Sequence, residues 1–336
     1  MLARLACELT RGDQFVELPG FATGFSTWVK LEGLNSVGSV KLKPALRMIE
    51  RAEEAGLIRP GSRLIESTSG NLGIALASIC AAKGYRITLV TDVNVNARTV
   101  KYIQALGAEL VVVEQGESEG GFLHARLELI RRRLAADPEL VWLNQYANPA
   151  NAEAHRVHTA PEIFEGFGIP DYLFIGAGTS GTLMGCLSYI HEHRLPTRVL
   201  AVDTVGSVLF GAPPGRRYIP GLGASRRPEI FVDDGTFDKV LVPEVETVRM
   251  CRRVARDHGL LLGGSSGTVL AAAAASADAI SPGSTVLTLS PDMGDGYLDT
   301  IYDDVWVVEH FGLEPLDAAP VPVATDPPLL QGMKDA

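Results

Sequence analysis

The sequence predicts an α/β protein made of two domains, each with a mainly parallel, twisted sheet flanked by helices. Short β-branched runs alternate with longer periodic segments, which is the signature of parallel βαβ units rather than of a sandwich or a bundle. The alternation runs as one series to about Gln115 and as a second from Asp171. Three of the strand-to-helix handovers are rich in glycine and hydroxyl residues, as ligand-binding turns of open α/β sheets are.

Each element has its own warrant. In the first series "SRLIES" reads as a strand and "NLGIALASICAAKG" as a helix closed by Gly84. The strand "YRITLVTD", the helix "NARTVKYIQALG" and the strand "AELVVVEQ" follow. The second series runs through "YLFIGAG", a helix from about Thr182, "TRVLAVD", "KVLVPE", "VETVRMCRRVARDHG", the small-residue helix "GTVLAAAAASADAI" and the strand "STVLTLS". The stretch from Leu313 onward carries five prolines and reads as a tail with little fixed structure. No internal repeat is visible.

Composition narrows the function classes. A chain of 336 residues suits one large or two modest domains, and 46% hydrophobic content supplies a core. Net charge of −10 excludes a general nucleic-acid binder, because phosphate backbones need a basic face, yet it allows a small anion to be held locally. Cys7, Cys80, Cys186 and Cys251 are far apart, with no CxxC or Cys/His metal-ligand spacing, so they read as buried, reduced thiols of a cytoplasmic protein. The start lacks the long apolar region of a signal peptide, and no apolar run approaches the ~18 residues of a membrane span.

Lys41 and Lys43 sit at the mouth of the helix expected in "NSVGSVKLKPALRMIE". A helix N-terminus already carries partial positive charge, so a lysine there needs an anion or a chemical task. Three turns offer such a task. In "ESTSGNLG", Ser67, Thr68, Ser69 and Asn71 supply hydroxyls and an amide, and Gly70 lets backbone N–H groups turn toward an anion. In "GAGTSGT", the hydroxyls of Thr179, Ser180 and Thr182 converge with backbone N–H groups on a helix start suited to phosphate. Gly176, Gly178 and Gly181 also spell GxGxxG, with Asp203 22 residues after Gly181, so a dinucleotide site stays open here. In "LLGGSSGT", Gly263 to Gly267 surround Ser265; such small residues could equally serve close packing.

In this order the motifs resemble those of the fold-type II pyridoxal-phosphate enzymes of the cysteine synthase and cystathionine β-synthase family, over roughly residues 14 to 310. "NSVGSVKLKPA" is similar to the family's Asn-Pro-x-x-Ser-x-Lys motif, which maps the Schiff-base lysine onto Lys41 and places Lys43 where arginine is usual. The resemblance implies a tryptophan synthase β-like fold and pyridoxal 5'-phosphate as cofactor. It maps substrate carboxylate binding onto Ser67, Thr68, Ser69, Gly70 and Asn71, and makes Asn71 the partner of the cofactor's ring hydroxyl. Gly178, Thr179, Ser180, Gly181 and Thr182 become the cofactor-phosphate loop, Ser265 the hydroxyl facing the pyridine nitrogen, and Gln145 a second carboxylate contact. A smaller domain over 36–147 is implied to close on substrate, against a larger one formed by 1–35 and 148–312. A homodimer and amino-acid substrates are implied as well. Ser36, Leu42 and Lys43 depart from the family's common Pro and Asp-Arg, and no Gly-x-Thr-Pro opening precedes Thr27.

The segments "ESTSGNLGIALA", "NQYAN", "GSVLFG", "PGLGASRRPEI" and "GDGYLD" look closest to the branch making the 2,3-diaminopropionate precursor, the N-(2-amino-2-carboxyethyl)-L-glutamate synthases. That resemblance implies β-replacement through an aminoacrylate, joining O-phospho-L-serine to L-glutamate with release of phosphate, in siderophore or antibiotic biosynthesis. A phosphate leaving group calls for a guanidinium. Arg126 and Arg226 or Arg227 are the candidates. The alternative for Arg126 is an exposed helix charge, and the alternatives for Arg226 and Arg227 are solvated loop charges or cations for a second substrate's carboxylates. Other readings are β-replacement with sulfide, ammonia or hydroxyurea, a Rossmann oxidoreductase, and a non-catalytic scaffold.

Overall fold

The structure is a computed structural model that describes residues 3–10, 12–116 and 121–312, so the expected tail over 313–336 lies outside the described residues. After a short 3₁₀ turn at Ala6–Glu8, the first elements are β1 (Phe15–Glu17), β2 (Ser26–Leu31), α1 (Leu42–Glu54), β3 (Arg63–Ser67) and α2 (Asn71–Lys83). Next come β4 (Arg86–Asp92), α3 (Ala97–Ala105), β5 (Glu109–Val113), α4 (Gly121–Ala136) and β6 (Leu140–Trp142). Helix α5 (Pro149–Ala154) runs on through π-helical turns at His155–Thr159 and Glu162–Phe167. The rest is β7 (Tyr172–Gly176), α6 (Gly181–His193), β8 (Arg198–Thr204), β9 (Asp238–Val242), α7 (Glu244–His258), α8 (Gly264–Ala275), β10 (Thr285–Ser290) and α9 (Asp304–Phe311).

Two sheets result. One runs β5-β4-β3-β6 and is parallel throughout; the other runs β1-β2-β10-β7-β8-β9 and is parallel except for its β1–β2 edge. Strands buried on both faces read as apolar runs, and β7 with Leu173, Phe174 and Ile175 almost wholly enclosed is such a strand. Helix α2 is enclosed nearly all round, which is why "LGIALASIC" lacks a polar stripe. Complete burial of a side chain such as Leu76 or Ile79 contributes about 1.5–3 kcal/mol. Gly84 ends the helix in the left-handed region at φ +76°, where a side chain would be strained.

Glycines set the spacing of α7 and α8. A side-chain carbon on Gly267 would overlap Cys251 and lie 2.7 Å from Thr247 O. Close packing is therefore real for this third small-residue turn, and it fixes Ser265 at the head of α8. The carboxyl ends of β2, β3, β6 and β7 lead into the loops that carry Lys41, Ser67 to Asn71, Gln145 and Gly178 to Thr182. Among the described residues, no helix is long and apolar enough to cross a membrane.

Candidate active site

Lys41 is the N-cap of α1. Its approach is folded by Asn35, whose amide donates to Glu32 O (3.0 Å) and Ser39 O (2.7 Å) and whose Oδ1 accepts from Val37 N (3.1 Å). Val40 N then donates to Pro291 O (2.7 Å), and Ser39 bridges to Asp292 beyond β10. The Lys41 side chain makes no hydrogen bond or ion pair among the described residues. Burial lowers its pKa and the Asp292 charge opposes that, leaving a net shift toward the neutral amine.

Asp292 is the group the sequence reading missed. It is buried, and its Oδ2 accepts from Asn71 Nδ2 (2.7 Å) and the Tyr297 hydroxyl (2.8 Å), while Oδ1 has no partner. Burial pushes its carboxyl up to about 6 against those two hydrogen bonds. Gly263 leaves it room, since a side-chain carbon there would overlap Oδ1.

The Ser67–Asn71 turn lies between the sheets. Ser67 and Thr68 are buried, Ser69 is exposed, Gly70 and Asn71 are half-buried, and Ser67 Oγ has no partner. Gln145 Nε2 donates to Ser67 O (3.0 Å), and Asn151 Nδ2 links onward to Gln145 O (2.8 Å) and Thr179 Oγ1 (3.1 Å). Beneath the turn Glu66 accepts from Ser67 N (2.9 Å) and Trp142 Nε1 (3.2 Å), and burial raises its carboxyl to about 7.

At the head of α6, Ser180 adopts φ +70°, a left-handed conformation that is strained for a side chain. Ser180 Oγ is buried without a partner. Gly181 has Asn151 where its side chain would be, and Gly178 would meet Gly221 O at 2.9 Å. Gly221, at φ +110°, in turn leaves space for Ser265 Oγ. The three sequence-predicted turns and Lys41 thus form one ring: Lys41, Asp292, Asn71, Ser67, Gln145, Asn151, Thr179, Gly178, Gly221 and Ser265.

Arg126 is buried on α4, which removes the exposed-charge alternative. Its Nε lies 3.4 Å from Asp92 Oδ2 without hydrogen-bond geometry, and Nη1 has no partner. The Tyr146 phenol, next to Gln145, has its pKa raised by burial against the charges of Arg126, Arg226 and Arg217. Arg226 lies over the Tyr146 ring at 5.6 Å and pairs with Glu229, whereas Arg227 covers Phe231 at 4.8 Å. Tyr146 was legible only as a neighbour within "NQYAN".

The family model described as pyridoxal-phosphate dependent enzyme matches residues 8–292. The chain belongs to that family. This pyridoxal-phosphate dependent enzyme is 41% identical over 310 residues to N-(2-amino-2-carboxyethyl)-L-glutamate synthase of Ralstonia nicotianae, covering 91% of this chain and 92% of the relative. The protein of the same name from Cupriavidus metallidurans is 42% identical over 285 residues, 83% of each chain. The crystal structure of O-ureido-L-serine synthase superposes with a TM-score of 0.83 at 34% identity, covering 91% of this chain and 96% of that one.

The residues present fit the cofactor. An unpartnered Ser180 hydroxyl at a helix N-terminus suits a phosphate, a lysine shifted toward its neutral form suits an aldehyde, and the Ser265 hydroxyl makes no hydrogen bond among the described residues. The dinucleotide reading fails at Asp203. That carboxyl is fully enclosed, accepts from Thr204 N (2.8 Å) and presents no open face to a ribose.

Proposed function

We propose that this enzyme joins O-phospho-L-serine to L-glutamate, forming N-(2-amino-2-carboxyethyl)-L-glutamate and phosphate on the way to L-2,3-diaminopropionate for a siderophore or peptide antibiotic. The observation that carries the reading is that two relatives bearing that synthase name each match more than four-fifths of the chain. The buried, under-partnered Arg126, whose charge acts on Tyr146, supports a phosphorylated donor, because a dianionic leaving group needs a guanidinium.

Each residue has a part in this reading. Gly178 to Thr182 would hold the cofactor phosphate, with Asn71 available to its ring hydroxyl and Ser265 to its pyridine nitrogen. The bound cofactor supplies an electron sink for the substrate Cα. Backbone and hydroxyl groups from Ser67 to Asn71, with Gln145, hold the substrate carboxylate. Lys41, shifted toward the neutral amine, takes the Cα proton and returns it after the Cβ–O bond has broken and the glutamate nitrogen has bonded to Cβ. Arg126 stabilises the departing phosphate, and Arg226 with Arg217 offers charge for the glutamate carboxylates. Binding at Ser67 to Asn71 draws the 36–147 unit inward and excludes water. Four free, buried cysteines support a reducing cytoplasm. A homodimer rests on family resemblance and is tested by native mass spectrometry.

Absorbance titration of the purified enzyme tests the reaction. The cofactor band should shift on adding O-phospho-L-serine and return when L-glutamate follows, with the product identified by mass. A band that ignores O-phospho-L-serine but answers O-acetyl-L-serine transfers the assignment to a cysteine-synthase-like reaction. Product formed only with sulfide or hydroxyurea replaces the acceptor.

A further inference from the structure

A line of side chains joins the buried ion cluster below α1 to the head of α6. Lys43 Nζ contacts Thr159 Oγ1 (3.4 Å), His155 Nδ1 lies 3.0 Å from the same oxygen, and His155 Nε2 lies 3.3 Å from Thr182 Oγ1. His155 and Thr159 bracket the π-helical turn that continues α5, and both are fully enclosed. Gly185 permits the approach of α6, because a side-chain carbon there would lie 2.6 Å from His155 Cβ.

We propose that Lys43, Thr159 and His155 form a one-directional hydrogen-bond chain that turns the hydroxyl proton of Thr182 toward a phosphate held at the head of α6. The proposal rests on the reading of Gly178 to Thr182 as the phosphate loop. Its direction follows from donor counting. An ammonium has donors only, so Thr159 Oγ1 accepts from Lys43. Thr159 has a single proton, and His155 Nδ1 is its one acceptor among the described residues. Burial holds the imidazole well below its ordinary pKa, against the pull of Glu32, so the ring is neutral and its proton sits on Nε2. Nε2–H then donates to Thr182 Oγ1, whose own proton is left to face the phosphate. The opposite tautomer would strand the Thr159 proton in an enclosed site and spend the Thr182 proton inward, presenting lone pairs to an anion. His155 and Thr159 are therefore positioning residues.

Histidine-selective ¹⁵N NMR on the full chain without cofactor reads the tautomer directly, with the His155 signal assigned by its loss in His155→Asn. Protonated Nε2 with bare Nδ1 is expected, and the reverse overturns the chain. Dissociation constants for pyridoxal 5'-phosphate and for phosphate-free pyridoxal then separate positioning from folding. Thr159→Val should weaken the phosphorylated cofactor about tenfold, as loss of one hydrogen bond to a charged group does, and leave pyridoxal unchanged. Thr159→Ser should restore it. Equal loss for both ligands, or no loss, overturns the proposal. If Thr182→Val selectively weakens the phosphorylated ligand and Thr159→Val does not, the chain is wrong and the phosphate loop stands. If Thr182→Val affects both ligands alike, the loop reading falls and the proposal with it.

Discussion

Lys43→Met would remove one member of a four-charge cluster that is almost closed to water. Lys43 Nζ lies 2.8 Å from Glu32 Oε2 and 2.6 Å from Glu162 Oε2, while Lys30 Nζ lies 2.6 Å from Glu32 Oε1 and 2.7 Å from Glu162 Oε2. Two ammonium groups and two carboxylates balance, and the Glu32 side chain is only 1% exposed. At an effective dielectric near 20 the Lys43–Glu32 contact alone is worth about 6 kcal/mol of Coulomb energy, part of which desolvation cancels. Methionine has a similar length, so the cavity is small and the uncompensated carboxylate dominates. The expected loss is about 3–5 kcal/mol, or a fall of about 1–2 M in the urea midpoint followed by circular dichroism. Its pH dependence has a definite sign. Burial raises the Glu32 pKa, but Lys43 and Lys30 outweigh it and hold the group below its unfolded value. A depressed carboxylate contributes stability above roughly pH 4.3 and loses it as pH falls through the folded pKa. Wild type and Lys43→Met should therefore converge in acid. A loss under about 1 kcal/mol at neutral pH, against the usual cost of breaking a buried pair, would refute the reasoning. So would a gap unchanged on acidification.

Arg126→Met should raise KM for O-phospho-L-serine about tenfold or more in initial-rate assays while sparing O-acetyl-L-serine, in keeping with one lost charge-assisted contact. Equal effects on both donors would separate Arg126 from the leaving group. Asn71→Ala deprives the enclosed Asp292 Oδ2 of one of its two donors and should weaken the cofactor and slow turnover; unchanged kinetics would remove Asn71 from the site. Asp292→Asn takes away the charge that opposes the lowered pKa of Lys41, so acylation of Lys41 in the cofactor-free protein should begin at lower pH, and an unmoved profile would contradict the pairing.

The three turns that meet at the candidate site were legible because each concentrates small and hydroxyl residues at a helix start, a composition that few purely structural turns need. Strand β2 was not read, although it lies between β1 and β10 and pairs β10 along Ser26–Leu31. Its "STWVKL" carries a lysine, and Glu32, the distant Glu162 and the Gly12 carbonyl together make Lys30 a tolerable core residue. Asp292 escaped for a related reason. In "SPDMGDG" it looks like any loop aspartate, and only the β10 pairing and the Ser39 bridge bring it to Lys41 and Asn71. Local pattern reveals what a segment does alone, whereas a charge buried by partners more than a hundred residues away leaves no local mark.

The two lysines at the mouth of α1 show how far surroundings divide identical side chains. Both occupy the start of one helix and share its partial positive charge, which disfavours an ammonium. At Lys43 two carboxylates lie at 2.8 and 2.6 Å from Nζ, and the contact works as a structural tie. At Lys41, two residues earlier, the nearby acid is Asp292, whose own burial lifts its pKa to about 6 and whose Oδ2 is engaged by Asn71 and Tyr297. A carboxylate so weakened and shared pulls less on the amine, and desolvation prevails. Exchanging the roles would need a second acid beside Lys41, and that acid would protonate the nucleophile it was meant to serve. Two residues are about 200° around a helix, so the spacing places a fixed cation and an amine shifted toward neutrality on opposite faces of one helical turn, the first against two carboxylates and the second near one.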